Sequence, residues 1–337
     1  MASIPHLPDG YSSRPATLAD VDEVARVINA AGVEMDGKAD YPADELRNDM
    51  QVPGLDLAHD TRIAIAPNGE VAAYADAFSI SDPPVHPFTW GRVHPDHRNR
   101  GLGTALLGWS VSRAREAADR VPEGVRISAE SMALSTWAPS RDLLTAAGFT
   151  VFRHNFDMEI GLDVEPPAPV WPEGVTIRPM RHPEEDRAVH AVLDEAFRDH
   201  FGHVEDEPQE SAFARFEHFL IKAPDFDPTL WFVAESEGEM IGLTLLSERA
   251  PSGDDSGWVG NLGVLKSHRR RGLGRALLLH SFHVLRERGK PAARLSVDGS
   301  SLTGAVRLYE KAGMRIVRQK DRYELELRPG RELAKGR

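Results

Sequence analysis

The chain repeats its own motifs at a spacing of roughly 165 residues, which is the size of a whole domain and too long for a solenoid repeat. Three segments recur in the same order along the two halves of the sequence. The pairs are Ser13-Arg14-Pro15 with Ile177-Arg178-Pro179, Arg98-Asn-Arg-Gly101-Leu-Gly103 with Arg269-Arg-Arg-Gly272-Leu-Gly274, and Ala147-Gly148-Phe149 with Ala312-Gly313-Met314. Two copies at this period predict two homologous domains in tandem.

The order of elements in each half predicts helices and strands around one mixed sheet, an α/β fold. A short strand precedes an amphipathic helix, a hairpin follows, and a further strand leads into the glycine-containing segment and its helix. Four prolines within residues 163–174 exclude a central strand or helix there and indicate a linker. The expected domains are therefore 1–162 and 175–330, joined by 163–174.

Composition removes several classes of function. The 337 residues include no cysteine, which excludes disulfides, thiolate metal sites and cysteine nucleophiles. A formal net charge of -12 argues against a nucleic-acid-binding surface, and no apolar run is long enough to span a membrane. The first ten residues do not have the pattern of a signal peptide, so the cytoplasm is the expected location. Histidine pairs such as His280 and His283 lack a second pair to complete a metal site, so no metal is predicted.

The repeated Arg-x-x-Gly-x-Gly segment is expected to bind phosphate. Glycine allows the backbone to come close to a ligand and to adopt a positive φ. The helix that follows presents free N–H groups and the positive end of its dipole. The positions where a dinucleotide fingerprint needs its third glycine hold Leu106 and Leu277, which argues against that motif.

These segments resemble the acyl-CoA motif of the GCN5-related N-acetyltransferases, the GNAT family, here present as two tandem domains. The segment from Leu308-Tyr309 to Gly313-Met314 resembles a later family motif. The resemblance implies an acyltransferase that uses acetyl-CoA as cosubstrate and transfers the acetyl group to a primary amine. It also implies that the glycine turns bind the diphosphate of coenzyme A and that backbone near Leu262 and Val264 binds the acetyl carbonyl.

The cofactor-binding residues implied by this resemblance lie in both halves. In the second half they are Leu262, Val264, Arg269, Arg270, Arg271, Gly272, Leu273, Gly274, Arg275 and Ser301. In the first half they are Arg98, Arg100, Gly101, Gly103 and Thr104. Ser301 stands where the family often has asparagine.

Only the second half carries the acid that the family uses on the leaving thiolate. Tyr309 matches the family's tyrosine, and the same position in the first half is Leu144, which cannot donate a proton. The pKa of a phenol is near 10 and that of a thiol near 8.5, so complete proton transfer from Tyr309 to the thiolate is uphill. Tyr309 therefore has two possible catalytic roles: it transfers its proton, or it only donates a hydrogen bond. Packing in the core is the alternative role. Catalysis is thus predicted in the C-terminal domain, and the N-terminal domain is predicted to be non-catalytic.

The acceptor and the general base are less constrained by the sequence. Asp199, Glu205 and Glu207 follow the first helix of the second half and could attract a cationic amine. Glu235, Glu248 and Asp255 are candidates for a base that acts through water. The acceptor is expected to be the amine of a small molecule; a mycothiol synthase-like enzyme, a protein N-acetyltransferase and a non-catalytic acyl-CoA sensor are the alternatives. No feature of the sequence predicts an oligomeric state.

Overall fold

The structure is a computed structural model, and it describes residues 4, 7–39, 41–79, 81–203, 208–251, 255–300 and 304–334. Their backbone divides into two compact units. The first comprises the described residues of Met1–Arg153, Val204–Pro224 and Lys320–Leu333, and the second those of His154–His203, Asp225–Gln319 and Ala334–Arg337. Across these ranges, none of the helices combines the length and the apolar character needed to cross a bilayer.

Ten elements from the first half of the sequence build most of the first unit. In chain order they are β1 (Ser12–Arg14), α1 (Val21–Asp36), α2 (Ala43–Asp49), α3 (Leu57–Asp60), β2 (Thr61–Ile65), β3 (Val71–Phe78), β4 (Phe88–Val93), α4 (Leu102–Arg115), β5 (Ile127–Leu134) and α5 (Ala138–Ala146).

The remaining elements are those of the second half together with the strand that precedes the linker. They are β6 (Thr150–Gly161), β7 (Val175–Pro179), α6 (Asp186–Phe197), α7 (Gln209–Phe216), β8 (Trp231–Ser236), β9 (Glu239–Ser247), β10 (Gly257–Val264), α8 (Leu273–Glu287), β11 (Ala292–Asp298), α9 (Ala305–Lys311) and β12 (Arg315–Arg328).

Each unit includes one strand from the other half of the sequence, at one end of its strand order. In the first unit the order is β1-β2-β3-β4-β5-β12, and β12 pairs antiparallel with β5 from Lys320 onward. In the second unit the order is β6-β11-β10-β9-β8-β7, and β6 pairs antiparallel with β11. The compact units are therefore not two consecutive stretches of chain, although the predicted α/β class and the tandem arrangement are confirmed.

Ion pairs accompany both exchanged strands. Glu159 on β6 accepts from Arg294 on β11 at 2.5 Å and from Arg315 at 3.2 Å. On β12, Arg322 pairs with the buried Glu130 of β5. Arg294 and Glu159 lie directly opposite each other, and Arg322 lies diagonally across from Glu130, so opposite charges stabilise the register of both pairs.

The sheet of the first unit is covered by helices on both faces because its side chains alternate. On β3, Tyr74 belongs to the cluster of α1 with Val24 and Ile28, whereas the neighbouring Ala73 and Ala75 pack with α4. Alternate residues of a strand point to opposite faces, so one strand serves two cores. The same alternation orients the strand beside the candidate site in the second unit.

The repeated Arg-Pro segment has a structural role at the start of each half. Arg14 donates to both carboxylate oxygens of Asp20, at 2.7 and 2.6 Å. Arg178 does the same to Glu185, at 2.9 and 2.8 Å. The Arg178 guanidinium holds the pKa of the Glu185 carboxyl at about 2, and Arg14 likewise holds that of Asp20 at about 2. In both halves the first strand is thereby joined to the chain entering the first long helix.

The hairpin predicted in the second half is present, formed by β8 and β9. The hairpin between β8 and β9 turns through Glu237 and Gly238, both at positive φ, which matches the right-handed twist of the strands. The residues between the predicted domains, 163–174, form neither helix nor strand. They lie along α8, where the Trp171 ring contacts His280 and the Pro167 carbonyl contacts His283 Nε2 at 3.2 Å.

Candidate active site

The second glycine turn connects β10 to α8 and presents unpaired main-chain N–H groups. Gly272 lies at a φ of +91° and precedes the first helical residue, Leu273. The first hydrogen bond of the helix runs from the Ala276 N–H to the Gly272 carbonyl at 3.0 Å. The N–H groups of Leu273, Gly274 and Arg275 therefore precede the helix's own bonding and are available to an anion.

At Gly274 another helix packs against the start of α8. A Cβ at this position would lie 3.7 Å from Leu308 Cδ2 and 3.9 Å from Val264 Cγ2. In the first unit, a Cβ on Gly103 would lie 3.3 Å from Leu143 Cδ2 and 3.9 Å from Val93 Cγ2. The two turns are thus built alike, and α9, which carries Tyr309, packs at the start of α8 through Leu308.

The four arginines of the second turn differ in their partners. Arg269 donates to Asp199 at 2.5 and 3.0 Å, to the Ala196 carbonyl at 2.7 Å and to the Val264 carbonyl at 3.0 Å. This guanidinium is fully engaged in holding the turn against the end of α6. The side chains of Arg270, Arg271 and Arg275 are exposed and have no ion pair within the described part of the chain, so they remain available to a ligand's phosphates.

A gap opens between β10 and β11 next to this turn. The two strands run parallel and pair only at Gly257 with Ala293 and Trp258 with Arg294. Beyond that point β10 stays paired with β9, and β11 stays paired with β6 as far as Asp298. A bulge between Val259 and Asn261 bends β10 where the strands separate. Main-chain N–H groups of β10 that face the gap near Leu262 and Val264 therefore have no partner strand within the described ranges and could bind a carbonyl, whereas the Val264 carbonyl accepts from Arg269.

The phenol of Tyr309 is largely removed from water. Burial raises the pKa of Tyr309 to about 12. Within the described ranges its hydroxyl has no hydrogen-bond partner. The group is consequently a neutral donor at physiological pH, free to donate to a ligand atom.

The first unit has the same turn, but the arginines of this turn already bind other groups of the protein. Arg98 pairs with Glu34 at 2.6 Å and lies over the Trp137 ring at 5.0 Å. Arg100 donates to the Tyr11 hydroxyl at 3.4 Å and to the Asp96 carbonyl at 3.2 Å. The buried apolar side chain of Leu144 lies at the position that Tyr309 has in the second unit.

The backbone of the first turn is similar to that of the second. Gly101 has a φ of +90°, and the first helical bond runs from the Ala105 N–H to the Gly101 carbonyl at 3.0 Å. Thr104 is exposed on the first turn of α4, and Pro8 would lie 3.9 Å from a Cβ on Gly101. The two turns therefore differ in their side-chain surroundings more than in their backbone.

Four of the carboxylates considered as bases or amine attractants are described by the structure, and each is engaged in an ion pair. Glu235 accepts from Arg178 at 2.5 Å, Glu248 from Arg288 at 2.8 Å, and Asp255 from Lys290 at 3.1 Å. Asp199 holds Arg269. Ser301, Glu205 and Glu207 lie outside the described residues.

The carboxylate that anchors each turn was not identified from the sequence. Glu34 lies near the end of α1 and Asp199 just beyond the end of α6, and each holds the first arginine of its turn. Their separation along the chain is that of the repeat, which is the signal that could have revealed them. In the part of the chain that the structure covers, no group of three or more histidine and carboxylate side chains has the arrangement of a metal site.

Comparison with known proteins identifies the family. Residues 30–126 and 189–314 match the Acetyltransferase (GNAT) family. The chain is 31% identical over 306 residues to a mycothiol acetyltransferase of Streptomyces avermitilis. This alignment covers 88% of this chain and 87% of that protein. A second mycothiol acetyltransferase, of Thermomonospora curvata, is 35% identical over 66% of this chain and 68% of its own length.

Solved structures agree on the fold. A GCN5-related N-acetyltransferase from Sphaerobacter thermophilus superposes with a TM-score of 0.77 at 33% identity, covering 97% of this chain and 99% of that one. A tandem GNAT protein from the clavulanic acid biosynthesis pathway gives a TM-score of 0.69 at 14% identity over 95% of this chain and all of its own length, which shows the shared fold. With two family matches and the repeated turn in both halves, this chain belongs to the GNAT family of acyltransferases and is a tandem member of it.

Proposed function

We propose that the protein transfers an acetyl group from acetyl-CoA to the primary amine of a small molecule, and that transfer takes place in the second half of the chain. One observation carries the proposal. Only there does an open glycine turn, with Arg270, Arg271 and Arg275 unpaired among the described residues, occur together with a phenol on the neighbouring helix.

The residues of the second half have distinct proposed roles. The N–H groups of Leu273, Gly274 and Arg275 bind the diphosphate, and the exposed arginines neutralise its charge. Arg269 positions the turn through Asp199. The backbone of β10 at the gap donates to the acetyl carbonyl, where negative charge develops as the amine attacks.

Tyr309 is proposed to donate a hydrogen bond to the departing sulfur. With a phenol pKa of about 12 and a free thiol near 8.5, complete proton transfer to the thiolate is uphill by about 5 kcal/mol. A hydrogen bond from a neutral phenol stabilises the thiolate without that cost, since a donor to a charged acceptor contributes about 1.5–3 kcal/mol. The elevated pKa therefore favours donation over transfer.

Replacement of the phenol tests this assignment. Tyr309→Phe should lower turnover about ten-fold or more, because the hydrogen bond forms mainly as the thiolate leaves, while the affinity for acetyl-CoA changes little. Tyr11→Phe is the matched control, since its hydroxyl bonds to His97 in the first unit at 2.8 Å. Turnover unchanged by Tyr309→Phe would remove this residue from the mechanism.

A more specific second candidate is mycothiol acetyltransferase activity. The similarity to proteins of that name extends over 88% of the chain, which favours an acceptor of the same class. An acetyl-CoA turnover screen should include the acceptor of those enzymes, a panel of small primary amines, and peptides with free lysines or N-termini. Turnover restricted to peptides would favour the protein N-acetyltransferase, and binding of acetyl-CoA without turnover would favour a sensor.

A further inference from the structure

The imidazole of His200 is held at the end of α6 by a neighbouring ring. Its main-chain N–H donates to the Phe197 carbonyl at 2.8 Å. Its ring lies 4.5 Å from the Phe197 ring, measured between centroids. Two contacts with the same residue fix the direction in which the imidazole leaves the helix.

Phe197 in turn contacts β10 at the gap. A Cβ on Gly263 would lie 3.3 Å from Phe197 Cε2 and 3.0 Å from Ala196 Cβ, so only glycine lets α6 approach this closely. Leu262 and Val264, on either side of Gly263, pack with Leu273 and Leu277 of α8 instead. Because neighbouring strand residues point to opposite faces, α6 and His200 lie on the face of the sheet opposite α8.

Gly263 and Asp298 stand level with each other across the gap. From the paired Gly257 and Ala293, Gly263 lies six residues on and Asp298 five, and the bulge in β10 absorbs the extra residue. His200 packs beside Gly263 through Phe197 and is within electrostatic reach of Asp298. His200 is thus held, through Phe197, at the end of α6 that packs against β10 where the two strands diverge.

The surroundings of the His200 imidazole keep it neutral and, within the described residues, leave its ring nitrogens without a hydrogen-bond partner. Burial lowers the pKa of His200 below its usual range and outweighs the opposing effects of Asp199 and Asp298, while Arg269 lowers it further. Asp199 is itself committed to Arg269. Neither ring nitrogen has a hydrogen-bond partner within the described part of the chain. An imidazole in this state can accept a proton near neutral pH.

We propose that His200 is the general base that removes the proton from the attacking amine, on the face of the sheet opposite α8. This proposal rests on the proposed transfer in the second half. As the N–C bond forms and the C–S bond breaks, the nitrogen loses one proton to His200. The sulfur leaves with the electron pair, stabilised by the hydrogen bond from Tyr309, and takes its proton from water, and His200 returns its proton to solvent, so that amine and thioester become amide and thiol.

The test compares His200→Gln with His203→Gln in the full chain, using acetyl-CoA and the best amine from the turnover screen. General-base catalysis is worth about 10²–10⁴-fold, so His200→Gln should lower kcat/KM by that factor. His203→Gln should leave it within about two-fold, and the calorimetric affinity for acetyl-CoA should be the same in both variants. Equal turnover in His200→Gln and wild type would overturn the proposal.

The pH profile separates a base from a residue that only shapes the pocket. A free amine titrates near 10.4, so log kcat/KM of wild type should rise with a slope of about two below the pKa of His200 and about one above it. His200→Gln should show a slope of about one throughout, and added imidazole should restore part of the activity of His200→Ala. A slope of two retained in His200→Gln would contradict the proposal.

Different results would contradict the proposed function and the proposed role of His200. If wild-type protein acetylates no amine, the proposed function itself is wrong. If wild type is active and His200→Gln keeps both its rate and its pH profile, only the role of His200 is wrong.

Discussion

The two glycine turns offer a matched pair of substitutions that identifies the catalytic half. Gly272 and Gly101 have nearly the same backbone, with φ of +91° and +90°. A Cβ on Gly272 meets nothing within 4 Å, and one on Gly101 meets only Pro8 at 3.9 Å. An aspartate at either position therefore costs mainly the strain of a left-handed residue, about 1–3 kcal/mol, and the two variants should lose nearly equal free energy of unfolding.

Their effects on the ligand should differ. Aspartate at Gly272 places a carboxylate where the diphosphate is proposed to bind. At a separation of about 5 Å and an effective dielectric of about 20–80, each pair of like charges costs about 1–3 kcal/mol. Two phosphate charges then predict a loss of at least 2 kcal/mol, which is about 30-fold or more in the affinity for acetyl-CoA.

Urea unfolding, calorimetric titration with acetyl-CoA and turnover should be measured on both variants. Gly272→Asp is expected to lose turnover and the higher-affinity binding, and Gly101→Asp to keep most of its activity with a similar loss of stability. Refutation would be the opposite pattern, with Gly101→Asp inactive and Gly272→Asp active, because it would place the chemistry in the first half.

Two further predictions concern charged side chains, one in an ion pair and one exposed on the second turn. Glu185→Gln should lower the free energy of unfolding by about 3 kcal/mol at pH 7, because Arg178 depresses the pKa of Glu185 from its usual 4.5 to about 2. A carboxyl with a depressed folded pKa contributes its stability above the unfolded pKa and loses it as the pH falls toward 2, so the difference between variant and wild type should shrink between pH 4.5 and 2. Unfolding curves across that range measure it, with the exposed Glu184→Gln as control. Arg271→Ala should raise the KM for acetyl-CoA about five-fold at low salt and less at high salt, since an exposed charge contributes about 1 kcal/mol and is screened. Arg100→Ala, in the first turn, should leave that KM unchanged, and an equal rise in both would contradict the assignment.

Local chemistry made the family recognisable from the sequence. A glycine turn favours glycine at the position that adopts a positive φ, and both copies have it there, at Gly101 and Gly272. The tyrosine and leucine at equivalent positions, Tyr309 and Leu144, already distinguished the two halves. These features depend on a few consecutive residues, so they can be recognised in the sequence without knowing which distant residues they contact.

Partners far apart in the chain were decided only by the tertiary structure. The alternation of β6 and β12 fits an antiparallel strand but does not state which edge it joins, so the exchange between units was not visible in the sequence. Likewise, an arginine-rich turn does not show that Arg269 is held by Asp199 while its neighbours stay unpaired within the described ranges.

The same limit applied to His200. In the sequence it was one histidine in a polar segment, and its meaning came from Phe197, Gly263 and Asp298, which three separate elements bring together. A repeat and a turn are encoded within short stretches of chain, whereas strand pairing, ion pairing and burial depend on which distant groups folding places side by side.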